Sequence, residues 1–261
     1  MLFIAIMNIA LLQFASRDRG KAENIAHAEH LLDTARGADL IVLPELWNIG
    51  FYSFDWYYAE SETSTGPTLA MIARKARELN AHILSGSIVE NDGGNYYNTN
   101  FLIAPDGALL GKYRKIHLFS YKSEEKKLLT PGTHPVTIKT SDCTYGLSTC
   151  YDLRFPELYR AELAQGTEVF LISAAWGYER LAQWTIFNRA RALENQAFVI
   201  AAGCAGVSRG HKLAGTSMIV DPNGTIVAQG GESEEIVTAD IDLTLVQKAR
   251  REFPTTADRV L

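Results

Sequence analysis

Short apolar runs alternate with longer amphipathic stretches along almost the whole chain, and that alternation limits the fold more than any other feature. Residues 8–14, 40–43, 83–89, 145–149, 169–173 and 198–202 are strand-length runs rich in Val, Ile, Leu and Phe. Between them lie helix-length stretches. In residues 21–36, Ile25, Ala28, Leu31, Leu32 and Ala35 share one helical face, and Gly37 stops the run. Thr65-Gly66-Pro67 opens a second helix reaching about Leu79, Pro156 starts a third over 156–165, and 180–196 reads as a fourth. Strands that are apolar on both faces need covering on both faces, and interleaved helices supply the cover, so the pattern predicts a layered α/β fold. No Pro/Gly/Ser linker interrupts the 261 residues, which read as a single domain over 1–261. Asn91-Asp92-Gly93-Gly94, Pro105-Asp106-Gly107 and Pro222-Asn223-Gly224 mark hairpins. The polar run 120–132 reads as a solvated loop, and a short helix and tail occupy 242–261.

Composition removes several classes of function. The formal net charge is −5, and the basic cluster over 112–115 is the longest, which is no footprint for a nucleic acid. Apolar residues make up 47%, enough for an extensive core and too many for a disordered chain. No stretch is long enough to span a bilayer. Cys143, Cys150 and Cys204 are an odd set without a CxxC pair, which points to a reducing, cytoplasmic setting. The apolar start lacks the basic region and cleavage site of a secretory leader. It reads as strand, with residues 1–6 an extension or Met7 an alternative start. His27 and His30 are expected as a solvated pair on a helix face rather than as metal ligands, and no metal or cofactor is expected.

Three strand ends carry the chemistry. In Leu147-Ser148-Thr149-Cys150-Tyr151-Asp152-Leu153-Arg154-Phe155-Pro156-Glu157 an apolar strand runs into a turn and then a helix, which exposes one side chain at the sheet edge. Val42-Leu43-Pro44-Glu45-Leu46-Trp47 delivers a carboxylate in the same way, and Gly111-Lys112-Tyr113-Arg114-Lys115-Ile116-His117 delivers cations. Alone, a Cys is more often a small core residue and a strand-end Glu a helix cap. Together, and in this order, the segments resemble the nitrilase superfamily of carbon–nitrogen hydrolases. Asn98-Thr99 and Arg191-Ala192-Leu193-Glu194-Asn195 extend the resemblance over nearly the whole chain.

The resemblance implies a four-layer αββα sandwich and a Glu45, Lys115, Cys150 triad. It also implies a second glutamate, placed six residues before the Pro of Pro131-Gly132 at Glu125, with Glu124 as the adjacent alternative register. Its implied partners are an amide and water, and its members associate as homodimers or larger homo-oligomers. In such a site Lys115 favours the thiolate, Glu45 takes the thiol proton, and Lys115 with the Tyr151 N–H holds the oxyanion.

The residues after Cys150 narrow the substrate. True nitrilases generally carry Trp where this chain has Tyr151, and Cys-Tyr-Asp-Leu-Arg-Phe-Pro-Glu resembles the ω-amidase branch, which acts on side-chain amides of 2-oxo acids. Arg154 is then expected to bind the distal carboxylate, against the plainer alternative of an ion pair with Glu157. Phe51, Tyr52 and Trp176 are expected on the pocket wall, and 174–184 carries no charge that would select a long or cationic substrate. An N-carbamoyl-amine hydrolase or aliphatic amidase with the same triad, and a non-catalytic binding module on the same fold, remain as alternatives.

Overall fold

Side-chain alternation along the first strand sets the layers. The computed structural model describes residues 6–16 and 18–260. In the strand Ile6–Gln13, Ile9 and Leu11 point into one core while Ala10 and Leu12 point into another. Leu40 and Val42 divide from Ile41 and Leu43 in the same sense. The first core lies between two sheets; the second lies between the first sheet and the helices Lys21–Asp33 and Pro67–Leu79, which contribute Ala28, Leu32, Ile72 and Ala76. Tyr159 of Pro156–Ala164 and Trp184 of Leu181–Asn195 cover the far side of the second sheet. The result is the expected αββα sandwich.

The first sheet has seven strands, with Ile6–Gln13 parallel to Leu40–Val42 and antiparallel to Glu235–Asp242. The second has six, with Thr144–Thr149, Val169–Ala174 and Phe198–Gly203 parallel at its centre. Parallel neighbours end on the same side, so the strands before Glu45, Cys150 and Ala175 all finish at one rim. A three-stranded ribbon of Ala15–Ser16, Ala205–Ser208 and His211–Lys212 stands beside that rim.

Three expectations are corrected. The run 83–89 is two strands, His82–Leu84 and Ile88–Asp92, both paired with Asn95–Ile103. The break falls at Gly86, whose φ is +68°, and a Cβ there would stand 2.2 Å from the Pro44 carbonyl. The polar run 120–132 is not simply solvated, because it folds into a short helix, Glu125–Leu128, with Glu125 fully buried. The terminal helix starts at Thr244, and Asp242, still in the last strand, accepts from the Thr244 N–H at 2.9 Å. The proposed extension over residues 1–6 lies outside the described residues except for Ile6, which begins the first strand.

Candidate active site

Each strand end places its side chain through a particular local device. Beyond Leu40–Val42 the chain turns through Pro44 and Glu45, and Leu46 adopts φ +45°. The break at Gly86 receives this turn: the Leu46 N–H donates to the Ser87 carbonyl at 2.9 Å, and Trp47 Nε1 donates to the Ser85 carbonyl at 2.8 Å. Cys150 likewise takes φ +47° as the strand Thr144–Thr149 enters the 3-10 turn Cys150–Arg154. A left-handed conformation at a residue with a side chain costs on the order of 1–3 kcal/mol, so the surroundings must hold it. Asp152 does so, accepting from the Thr149 N–H at 3.0 Å in a capping box.

Glu45, Lys115 and Glu125 meet in full burial. Lys115 Nζ lies 2.8 Å from Glu45 Oε1 and 3.0 Å from both oxygens of Glu125. Asn98 Nδ2 bridges the two acids, 2.9 Å from Glu45 Oε1 and 2.7 Å from Glu125 Oε1. The Ala175 N–H donates to Glu45 Oε2 at 2.9 Å, and the Phe119 N–H to Glu125 Oε2 at 2.7 Å. Burial alone would lower the Lys115 pKa, but Glu125 and Glu45 more than offset it and the ammonium is held. Burial, followed by repulsion from Glu45, pushes Glu125 above the usual carboxylate range against the pull of Lys115. Glu124 is exposed and pairs with Lys127, so Glu125 is the acid at this centre.

Cys150 is buried and lines a narrow cleft. Burial and the Glu45 carboxylate push its thiol well above the ordinary value, and Lys115 offsets this only in part. The protonated thiol is therefore favoured beside the Glu45 carboxylate that is to take its proton. Rapid alkylation at mildly acidic pH is not expected of it.

Phe51, Tyr52, Phe119, Tyr151, Arg154, Trp176 and Arg180 line the cleft. The Arg154 guanidinium lies over the rings of Trp176 at 5.1 Å and Phe187 at 5.3 Å. It donates to Gln183 Oε1, so the ion pair with Glu157 is not formed. Arg180, a cation within 174–184, lines the cleft, which is consistent with a segment that does not select a cationic substrate. One further expectation changes. His27 is not a solvated residue: it is half-buried, edge-on to Phe14, with Nε2 2.9 Å from Glu234.

The carbon-nitrogen hydrolase family model matches residues 8–251. The chain belongs to that family. Among curated carbon–nitrogen hydrolases it is 37% identical to the 2-oxoglutaramate amidase of Paenarthrobacter nicotinovorans, covering 91% of this chain and 83% of that one. To the omega-amidase NIT2 of Homo sapiens it is 34% identical, covering 90% and 88%. Among solved structures, the CN-hydrolase superfamily protein XC1258 of Xanthomonas campestris superposes with a TM-score of 0.91 at 30% identity, over 98% of both chains. Among the described residues of this carbon–nitrogen hydrolase no helix is long and apolar enough to cross a membrane.

Reading the sequence by strand ends left out Asn98, Arg180 and the role of Asp152. Asn98 sits inside a strand and shows no chemistry until the fold brings two glutamates to it. Asp152 is more informative. Its Oδ2 accepts from Tyr113 Oη at 2.7 Å, and its Oδ1 contacts His117 N at 3.0 Å and Nδ1 at 2.7 Å. One buried carboxylate thus ties the nucleophile turn to both sides of Lys115. Asp152→Asn keeps the shape but turns a donor toward groups that need an acceptor. It is expected to lower kcat about 10²-fold with KM little changed, the cost of roughly 1 Å of misplacement. Steady-state kinetics beside a melting curve check this; a lower melting point with kcat intact would make the brace purely structural.

Proposed function

We propose that this carbon–nitrogen hydrolase cleaves the ω-amide of 2-oxo dicarboxylic acid monoamides, such as 2-oxoglutaramate and 2-oxosuccinamate, releasing ammonia through a Cys150 thioester. Arg154 carries the reading: a guanidinium on the wall above Cys150, stacked on aromatic rings and without a carboxylate partner among the described residues. Burial, with Arg180 nearby, presses its pKa down, so the site holds an uncompensated cation that an anionic substrate would neutralise. The relatives named for 2-oxoglutaramate and ω-amide hydrolysis support the same substrate class.

The mechanism follows from the proton positions. As Cys150 Sγ attacks the amide carbon, Glu45 accepts its proton, and the oxygen takes up negative charge between Lys115 Nζ and the Tyr151 N–H. Glu45 then protonates the nitrogen, the C–N bond breaks, and ammonia leaves a thioester. Glu45 next removes a proton from the attacking water, and collapse returns the acid and the free thiol. Asn98 and the Ala175 N–H fix both oxygens of Glu45, and Glu125 holds Lys115, so these groups need little rearrangement between steps. Tyr52 and Trp176 form the wall that excludes water.

Ammonia release from 2-oxoglutaramate and succinamate, set beside propionamide, N-carbamoyl-β-alanine and a simple nitrile, tests the assignment. Arg154→Ala is expected to raise KM for succinamate about 10- to 100-fold, the loss of a charge-assisted bond of about 1.5–3 kcal/mol. Equal effects on succinamate and propionamide would remove Arg154 from this role, and turnover of only the carbamoyl or neutral compounds would move the protein to another amidase class. A cytoplasmic location and a homodimeric or larger state belong to the same reading. Three free cysteines support the first, and exposed Ile186 and Leu193, a heptad apart on one helix face, support the second.

A further inference from the structure

The cleft carries a second guanidinium that the mechanism does not use. Arg180 follows Tyr178 and Glu179 in a 3-10 turn a few residues beyond the strand Val169–Ala174. It lines both the cleft over Cys150 and an outer vestibule of about 780 Å³, to which Lys122, His211 and Glu179 contribute. Its guanidinium carbon lies 5.6 Å from the centre of the Phe119 ring, and its side chain makes no hydrogen bond or ion pair among the described residues.

Several other buried or half-buried cations are paired with acids. Lys75 is paired with Asp33, Arg114 with Glu90, Lys115 with Glu45 and Arg191 with Glu194. Arg154 and Arg180 share one cleft without a carboxylate on either, and Arg180 adds to the burial that already depresses Arg154. Two half-buried like charges in one cleft repel, and an anionic ligand between them would relieve that repulsion.

A plain carboxylate has two oxygens, and one guanidinium fork takes both. A second fork is left with only their outer lone pairs. A 2-oxo acid adds a third oxygen on the adjacent carbon, directed along a second edge. We propose that Arg154 and Arg180 together bracket the 2-oxo acid end of the substrate, Arg154 taking the carboxylate and Arg180 the 2-oxo oxygen, so that Arg180 selects 2-oxo ω-amides over their unsubstituted counterparts. This rests on the ω-amide reading above and adds to it the group that distinguishes one ω-amide from another.

The test compares kcat/KM for 2-oxosuccinamate and succinamate, which differ only in that oxygen, in the unaltered protein and in the Arg180→Gln, Arg180→Lys and Arg154→Gln variants. Arg180→Gln is expected to reduce the 2-oxosuccinamate to succinamate ratio at least about tenfold, through KM rather than kcat, and Arg180→Lys to restore part of it as a single-point donor. Arg154→Gln is expected to weaken both substrates while leaving the ratio closer to that of the unaltered protein. A ratio unchanged in Arg180→Gln, or equal losses on both substrates, would overturn the assignment of Arg180 while leaving the ω-amide function standing. An unaltered protein that prefers butyramide to both acids would remove the ω-amide reading, and this one with it.

Discussion

Cys150→Ala is expected to abolish ammonia release, with a loss on the order of 10⁶-fold in kcat, the scale seen when a hydrolase loses its nucleophile. The fold should survive. Cys150 lines the open cleft, and the turn around it is held by Asp152 and Thr149 rather than by the thiol. Replacing sulfur by hydrogen enlarges a space that already admits ligand, so a stability change within about 1 kcal/mol is expected. Assay of ammonia, with intact-protein mass spectrometry after mixing with substrate, separates the possibilities. The unaltered enzyme should show an acyl adduct under rapid quench and the alanine variant none. Alanine protein retaining a few per cent of turnover would mean that water attacks the amide directly and that no thioester lies on the path.

Glu45→Gln is expected to reduce kcat by about 10³-fold or more, because one carboxylate serves four proton transfers, the last returning the proton to the Cys150 sulfur, and general acid–base catalysis contributes roughly 10²–10⁴ at a single step. The surroundings make the amide a poor substitute. Glu45 accepts from Lys115, Asn98 and the Ala175 N–H, so a side-chain NH₂ must face at least one donor. The substitution also removes one of the two carboxylates that keep Lys115 charged against its burial, and the ammonium pKa falls as a result. Rapid-quench measurement of acylation provides the decisive readout. Because Glu45 is proposed to act before the thioester forms, the burst of acyl-enzyme should disappear together with steady turnover. A full burst followed by slow turnover would confine Glu45 to activating water.

Glu45 and Cys150 stood out in sequence because each stands just past an apolar strand, whereas Lys115, at the end of the partly polar strand Leu109–Arg114, was singled out among neighbouring cations by the resemblance. The layers were legible because two-residue alternation, as in Ile9 to Leu12, is local. What could not be read depends on residues distant in sequence. The run 83–89 has the composition of one strand, and only the approach of Pro44 and Trp47 demands the break at Gly86. Glu125 was reached through the resemblance alone: its neighbours Glu124, Lys126 and Lys127 are exposed, and polarity by itself predicted solvent where the fold buries one carboxylate against the Lys115 ammonium. Arg180 was passed over because 174–184 was read only for charges that would select a long or cationic substrate, and its place in the cleft appears only once the fold is built.

The groups around the reacting atoms and those around the rest of the substrate are held in different ways. Asn98, Glu125 and Asp152 are locked in the sandwich by several bonds each, whereas Tyr52, Phe119, Arg154 and Arg180 stand half-buried on separate loops and turns at its mouth. His211, stacked on Tyr52 at 3.9 Å, comes from a ribbon outside both sheets. Exchanging a mouth residue leaves the hydrogen bonds of the centre in place, so a lineage built on this framework can change the acid it recognises by steps that each retain a working hydrolase. Altering the chemistry itself would require several interior residues to change at once.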